Sequence, residues 1–155
     1  MRIQIIAMGD RMPSWVQQGY NEYIKRIGTG LSVELVEISP EKRGKASDIK
    51  RIMVKEAERM RQSISRGNYV IALDKDGRDL STQGLADRIS TWQQEGVNIS
   101  ILIGGPEGMS QDLLTEANAR ISLSQMTFPH PVVRIILAEQ LYRTYTILNN
   151  HPYHK

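Results

Sequence analysis

The sequence predicts an α/β fold in which helices sandwich a largely parallel sheet, and three observations carry that prediction. Strand-like and helix-like hydrophobic patterns alternate along the whole chain. Two strand candidates, Tyr69-Val70-Ile71-Ala72-Leu73 and Ile99-Ser100-Ile101-Leu102-Ile103, are short and almost wholly apolar, as strands covered on both faces require. Finally, 155 residues with 40% hydrophobic and 24% charged side chains suit one domain, spanning 1–155, with its own core. No repeat, low-complexity tract or linker divides it.

Taken in order, Ile3, Ile5 and Ala7 alternate with their neighbours and give a first strand that breaks at Gly9-Asp10. Pro13 opens a helix, where its missing N–H costs nothing, and Val16, Tyr20, Tyr23 and Ile27 form its apolar face. Gly28 and Gly30 stop it. Leu31, Val33, Leu35, Val36 and Ile38 give the second strand. Ser47 is the expected N-cap of a helix carrying Ile49, Ile52, Met53, Met60 and Ile64 on its buried face. After the third strand, Asp74, Asp76 and Asp79 with Gly77 read as a polar turn rather than a metal site. Leu85, Ile89 and Trp92 mark the next helix. A short helix starts near Ser110, a last strand lies around Ile121 to Leu123, and a long helix runs from Val132 to Asn149. Pro129 and Pro131 discourage helix before Val132.

Several function classes drop out. Without cysteine there is no disulfide scaffold, thiolate zinc or thiol catalysis, and a reducing cytosol fits. The opening Met1-Arg2-Ile3-Gln4 turns polar too soon for a signal peptide. No apolar stretch approaches the roughly 20 residues of a membrane span, so a cytoplasmic protein is expected. The net charge of +3 fits a bland basic surface as well as a nucleic-acid partner. Its distribution is more telling: Lys42, Arg43 and Lys45 cluster, Lys50, Arg51 and Lys55 follow, and the tail ends His154-Lys155.

In parallel sheets ligands bind beyond the carboxyl ends of the strands, which directs attention to the segments after Leu73, Ile103 and Leu123. Gly104-Gly105-Pro106-Glu107-Gly108 is either a plain strand-to-helix turn or a place where a ligand meets main-chain N–H groups. A phosphate cradle fails on detail, because the Gly-Lys-Ser/Thr and Gly-x-Gly-x-x-Gly patterns are missing and Glu107 adds an anion. Leu123, Ser124, Gln125, Met126, Thr127 and Phe128 precede Pro129-His130-Pro131. Their small polar groups suit an adenine edge and their apolar members suit its faces, although a proline-stiffened loop is the plain alternative. Asn149-Asn150-His151-Pro152-Tyr153-His154-Lys155 is a frayed tail or a cationic, aromatic patch for a nucleobase and phosphate, extended by Arg134 and Arg143. Glu139, four residues before Arg143, makes a helix-face ion pair the simpler reading of that arginine.

Together, Lys42-Arg43-Gly44-Lys45, Leu102-Ile103-Gly104-Gly105-Pro106-Glu107-Gly108, Phe128-Pro129-His130-Pro131 and Asn150-His151-Pro152-Tyr153-His154, in this order, resemble the ribosomal RNA large-subunit methyltransferase H family of the SPOUT class. The resemblance covers essentially the whole chain. It implies a C-terminal trefoil knot, which periodicity does not reveal, and a homodimer. It also implies S-adenosylmethionine bound in the knot at positions matching Leu73, Gly104 and the six residues from Leu123 to Phe128, with Gly105 beside them in the same turn. Gln125, Met126 and Phe128 are expected to contribute backbone rather than side chains, and the partner subunit's tail to complete the pocket. The substrate implied is N3 of a pseudouridine in 23S rRNA, within the large subunit or whole ribosome. On that reading His154 helps remove the imide proton, Arg143 stabilises the anionic base and Tyr153 positions the ring. Lys42, Arg43, Lys45 and Lys155 would contact phosphates. The rivals are another methylated RNA base or ribose, a non-enzymatic RNA-binding factor, and a nucleotide-binding enzyme.

Overall fold

The computed structural model describes residues 1–44 and 48–155. Five strands, β1 (Arg2–Met8), β2 (Ser32–Ile38), β3 (Tyr69–Asp79), β4 (Ile99–Ile103) and β5 (Ala119–Ser122), pair in the order β2-β1-β4-β3-β5. Every pairing is parallel. The helices are α1 (Ser14–Ile24), α2 (Ile49–Ser63), α3 (Thr82–Gln94), α4 (Gln111–Glu116) and α5 (His130–Leu148), followed by a 3-10 turn at Pro152–His154.

The sheet separates two apolar layers. Ile3, Ile5, Ile71 and Ile101 face Tyr20 of α1, Ile89 and Trp92 of α3, and Leu137 and Leu141 of α5. Ile6, Met8 and Leu102 face Ala57 and Met60 of α2 and Leu113 of α4. Both faces of β1 and β4 are therefore covered, and Gln4 and Ser100 are buried polar exceptions. Their polarity is satisfied internally: Ser100 Oγ donates to Gln4 Oε1 at 2.8 Å, and Gln4 Nε2 donates to the Ser63 carbonyl at 3.0 Å. The alternation read in β1 is thus not an exposed face but a buried, fully bonded amide.

Several boundaries differ from the sequence reading. Pro13 is the N-cap of α1 rather than its first residue, and the helix ends at Ile24, before Ile27 and the glycines. Asp48 caps α2, its carboxylate accepting the Arg51 N–H at 3.3 Å; the expected cap Ser47 lies outside the described residues. Ile49, expected on the buried face, is exposed, one turn short of the packed stripe Ile52, Glu56, Ala57, Met60. Helix α5 begins at His130, not Val132. Pro129 is the N-cap and Pro131 sits in the first turn, where a fixed φ and a missing donor are compatible with helix.

The largest difference lies in β3. Asp74, Asp76 and Asp79, read as a turn, belong to an extension of the strand that bulges between Leu73 and Arg78, so that both of these residues oppose Ile121. Gly77 permits this: a Cβ there would lie 2.7 Å from the backbone of Ile121. Asp74 is paired with Arg120. No helix among the described residues is long and apolar enough to cross a membrane.

Candidate active site

A cavity of about 840 Å³ opens beside β3 from Leu73 to Lys75, at the carboxyl ends of β4 and β5. Its walls are Leu73 and the start of the β3 bulge, the turn at 103–109, residues 122–124 and 126–129, and His130 and Val133 at the head of α5. These are the segments that follow the three strands singled out in the sequence.

The glycine wall is built by close approach. Gly108 has φ +78° and donates its N–H to the Gly105 carbonyl at 2.9 Å, closing the turn. A Cβ on Gly104 would stand 2.9 Å from the Gly108 carbonyl carbon and 3.1 Å from the Met109 nitrogen, so the strand end and the turn behind it fit only without a side chain. Gly105 packs on Met8.

The opposite wall is tied by its own small polar groups. Ser122 Oγ donates to the Ser124 carbonyl at 2.8 Å, and Ser124 Oγ accepts the Met126 N–H at 3.0 Å. Leu123, Ser124, Met126, Thr127 and Phe128 line the cavity, whereas the Gln125 amide turns to Asp79 at 3.3 Å. Met126 is 73% exposed at the rim. A smaller cavity of about 320 Å³ adjoins the first, sharing Leu73, Leu123, Ser124 and Phe128 and continuing between Leu80, Ile101 and Leu137.

Charge at the rim is largely matched in advance. Glu107 Oε1 accepts from Arg43 Nε at 3.0 Å and Oε2 from Arg43 Nη2 at 2.5 Å, which holds the Glu107 carboxyl below its usual range. Lys75, on the β3 bulge, borders the cavity; nothing in the sequence marks it, because the stretch 74–79 reads locally as a plain turn. His130 also borders it, its imidazole pushed toward neutrality by burial and by the Arg134 charge. Arg134 is not part of a surface patch: it is 2% exposed, donates to the Gly9 carbonyl at 2.7 Å and pairs with Glu37.

Arg143, Tyr153 and His154 gather at the other end of α5. Arg143 Nε donates to Glu139 Oε1 at 2.8 Å, the ion pair that the spacing suggested, and its guanidinium lies 5.0 Å over the Tyr153 ring. The Tyr153 phenol is raised above its ordinary pKa, chiefly by burial and then by Glu139. His154 Nδ1 is buried without a hydrogen-bond partner. At ~1.5 Å per residue, α5 carries Arg143 roughly 20 Å from His130, and none of the three residues lines the cavity of its own chain. Lys42 and Lys155 are exposed, Arg43 is engaged by carboxylates, and Lys45 lies outside the described residues.

The parallel sheet with its glycine-walled cleft at the strand ends defines an α/β protein with a small-molecule site, and a family match says which class it is. A family model described as "Predicted SPOUT methyltransferase" matches residues 1–154. In fold the chain is similar to "a probable methylase family protein from Haemophilus influenzae Rd KW20", with a TM-score of 0.57 and 14% identity over 99% of this chain and 70% of that one. It is also similar to a "probable rRNA-methyltransferase from Porphyromonas gingivalis", with a TM-score of 0.52 and 18% identity over 95% and 69%. More narrowly, the chain is 46% identical to "Ribosomal RNA large subunit methyltransferase H" of Marinomonas sp. (strain MWYL1) and of Methylococcus capsulatus, over 100% of both chains in each case. The chain belongs to that family and is a methyltransferase.

Proposed function

We propose that this chain uses S-adenosylmethionine to methylate N3 of a pseudouridine in 23S rRNA, acting in the cytoplasm as a homodimer on the assembled ribosome. The name carried by its relatives supports the RNA class, and the strand-end cavity supports the donor. Its volume of about 840 Å³ falls in the range of roughly 300–1,000 Å³ typical of small-molecule sites. Glu107 and Asp74 at its rim are already neutralised by Arg43 and Arg120, which leaves recognition to the main chain and the apolar walls. Gly104 lets the turn close against the strand end to form the cavity's wall.

Leu73, Gly104, Gly105 and residues 123–128 would hold the donor. Since Gln125 is engaged by Asp79, its backbone is the part left to bind. Bound there, the donor supplies a methyl group already activated on a sulfonium. The protein's task is then to align the acceptor nitrogen and exclude water.

The roughly 20 Å between the head of α5 and Arg143 supports a composite site, with one subunit providing the cavity and the other Arg143, Tyr153 and His154. On this reading His154 accepts the N3 imide proton. Arg143 offsets the negative charge of the deprotonated base, and Tyr153, a neutral phenol at physiological pH, stacks beside it. Lys42, Lys45 and Lys155 supply phosphate contacts. A trefoil knot in the C-terminal segment is part of the same proposal.

Ribosomes lacking the modification, incubated with labelled donor and the protein, test the proposal when the product is mapped by mass spectrometry. A methyl group on a pseudouridine base of 23S rRNA is expected; label on another base or a ribose would redirect the substrate. His154→Ala is expected to lose single-turnover rate and flatten its pH dependence. An unchanged profile would remove His154 as the base.

A further inference from the structure

The guanidinium of Arg43 joins two carboxylates from opposite sides of the basic loop. Glu56, on α2, is 5% exposed; its oxygens accept from Arg43 at 3.2 and 3.3 Å and from the Glu41 N–H at 3.0 Å. Glu107, at the tip of the glycine turn, takes the two contacts already described, and Arg43 Nη1 also donates to the Glu41 carbonyl at 3.1 Å. Arg59 and Lys55 of α2 hold Glu41 in turn. Both terminal nitrogens and Nε are thus used in one planar fork, a geometry that an ammonium lacks. Within the turn one backbone bridge joins Gly105 to Gly108 and Gly105 rests on Met8, and among the described residues Glu107 has no other ion-pair partner.

We infer that Arg43 is a positioning residue for the methyl-transfer reaction: by clamping Glu107 to Glu56 it fixes the glycine turn that walls the donor cavity. This assigns it a different task from its neighbour Lys42, which is exposed and faces no carboxylate within the described residues. A turn with glycines at three of five positions has many conformations to lose, and a clamp at its tip removes that freedom before the ligand arrives. The inference rests on the reading of that cavity as the S-adenosylmethionine site.

The test compares Lys42→Ala, Arg43→Lys, Glu107→Gln and the double variant Arg43→Lys/Glu107→Gln in the full chain. Donor binding is measured by calorimetry, and donor KM, ribosome KM and kcat by turnover on unmodified ribosomes. Arg43→Lys and Glu107→Gln are each expected to weaken donor binding about tenfold and raise donor KM, with kcat at saturation within about twofold. The double variant is expected to be no worse than either single, since the contact is shared. Lys42→Ala is expected to leave donor affinity unchanged and raise only ribosome KM. Glu107 is exposed, so Glu107→Gln gives an answer even if Arg43→Lys folds poorly. Donor affinity unchanged in Glu107→Gln, or a rise in ribosome KM alone for Arg43→Lys, overturns the inference while leaving the cavity assignment intact. Wild-type protein that fails to bind the donor overturns both.

Discussion

The Tyr153 hydroxyl donates to Oε1 of Glu139 at 3.2 Å, the same oxygen that accepts Arg143 Nε at 2.8 Å. Tyr142 packs on the other side, its ring 4.6 Å from that of Tyr153. One carboxylate on α5 thus orders the tail and the arginine together, and Glu139 becomes a positioning residue although it lines neither of the two cavities described. Glu139→Ala is expected to lower the single-turnover methylation rate by about 10–100-fold through misplacement of Tyr153 and Arg143, with donor affinity within about twofold of wild type. Quenched-flow assays beside calorimetry separate the two quantities. An unchanged rate would mean that the tail is positioned by something other than Glu139.

Gly77 gives a stability prediction free of any assumption about ligands. The β3 bulge passes so close to β5 that a methyl group at this position overlaps the backbone of Arg120 and Ile121, which cannot swing aside as a side chain can. Gly77→Ala is expected to cost about 1–3 kcal/mol, the range for overpacking, read as a lower urea midpoint with an unchanged slope. Gly67→Ala is the matched control: no atom lies within 4 Å of its would-be Cβ, and its penalty comes only from φ +83°.

The contrast between these two glycines explains what was legible in the sequence. The parallel sheet could be read because Ile71, Ile101 and their neighbours are buried whatever the tertiary details, and runs covered on both faces leave an apolar signature. The cavity followed from the strand-end rule, and its glycine turn and the 123–128 segment fall where that rule directs. The β3 bulge could not be read. Asp74, Asp76 and Gly77 look like a turn locally, and only their encounter with Arg120 and Ile121, more than forty positions away, makes them strand. Arg134 and Arg43 illustrate the same limit for charge. Both are simply basic in sequence, yet Glu37 captures one and Glu56 with Glu107 the other. Which lysines and arginines remain available to RNA is decided by such long-range pairings.

That distinction gives a salt prediction. Lys42 and Lys155 are exposed and carry no ion pair among the described residues, so they are available to displace the cations condensed on RNA phosphates. Lys42→Ala and Lys155→Ala are each expected to reduce the slope of log affinity against log salt by about one. Arg134→Met is expected to leave that slope unchanged, because its charge never faces solvent. Ribosome-binding titrations between low and physiological salt measure it. A slope lowered equally by Arg134→Met would show that the surface electrostatics are not local.

Tyr20 supplies a pH prediction whose sign can be worked through. Its ring is 6% exposed and its hydroxyl is buried with no hydrogen-bond partner. Burial pushes its pKa from 10 up to about 12, against a smaller opposing effect of the Arg134 charge. Because the folded value lies above the unfolded one, the native state binds this proton more tightly. The associated stability is intact below pH 10 and is lost as pH rises toward 12. A displacement of this size corresponds to ~2–3 kcal/mol at full effect. The measurement is a difference: urea unfolding of wild type and Tyr20→Phe at several alkaline pH values. Removing an unpartnered buried hydroxyl is expected to be neutral or stabilising at pH 8, within about 1 kcal/mol, and the variant is expected to lose less stability than wild type above pH 10. Parallel losses in the two proteins would mean that the hydroxyl reaches solvent in the folded state, and that the α1–α5 interface around it is looser than the packing describes.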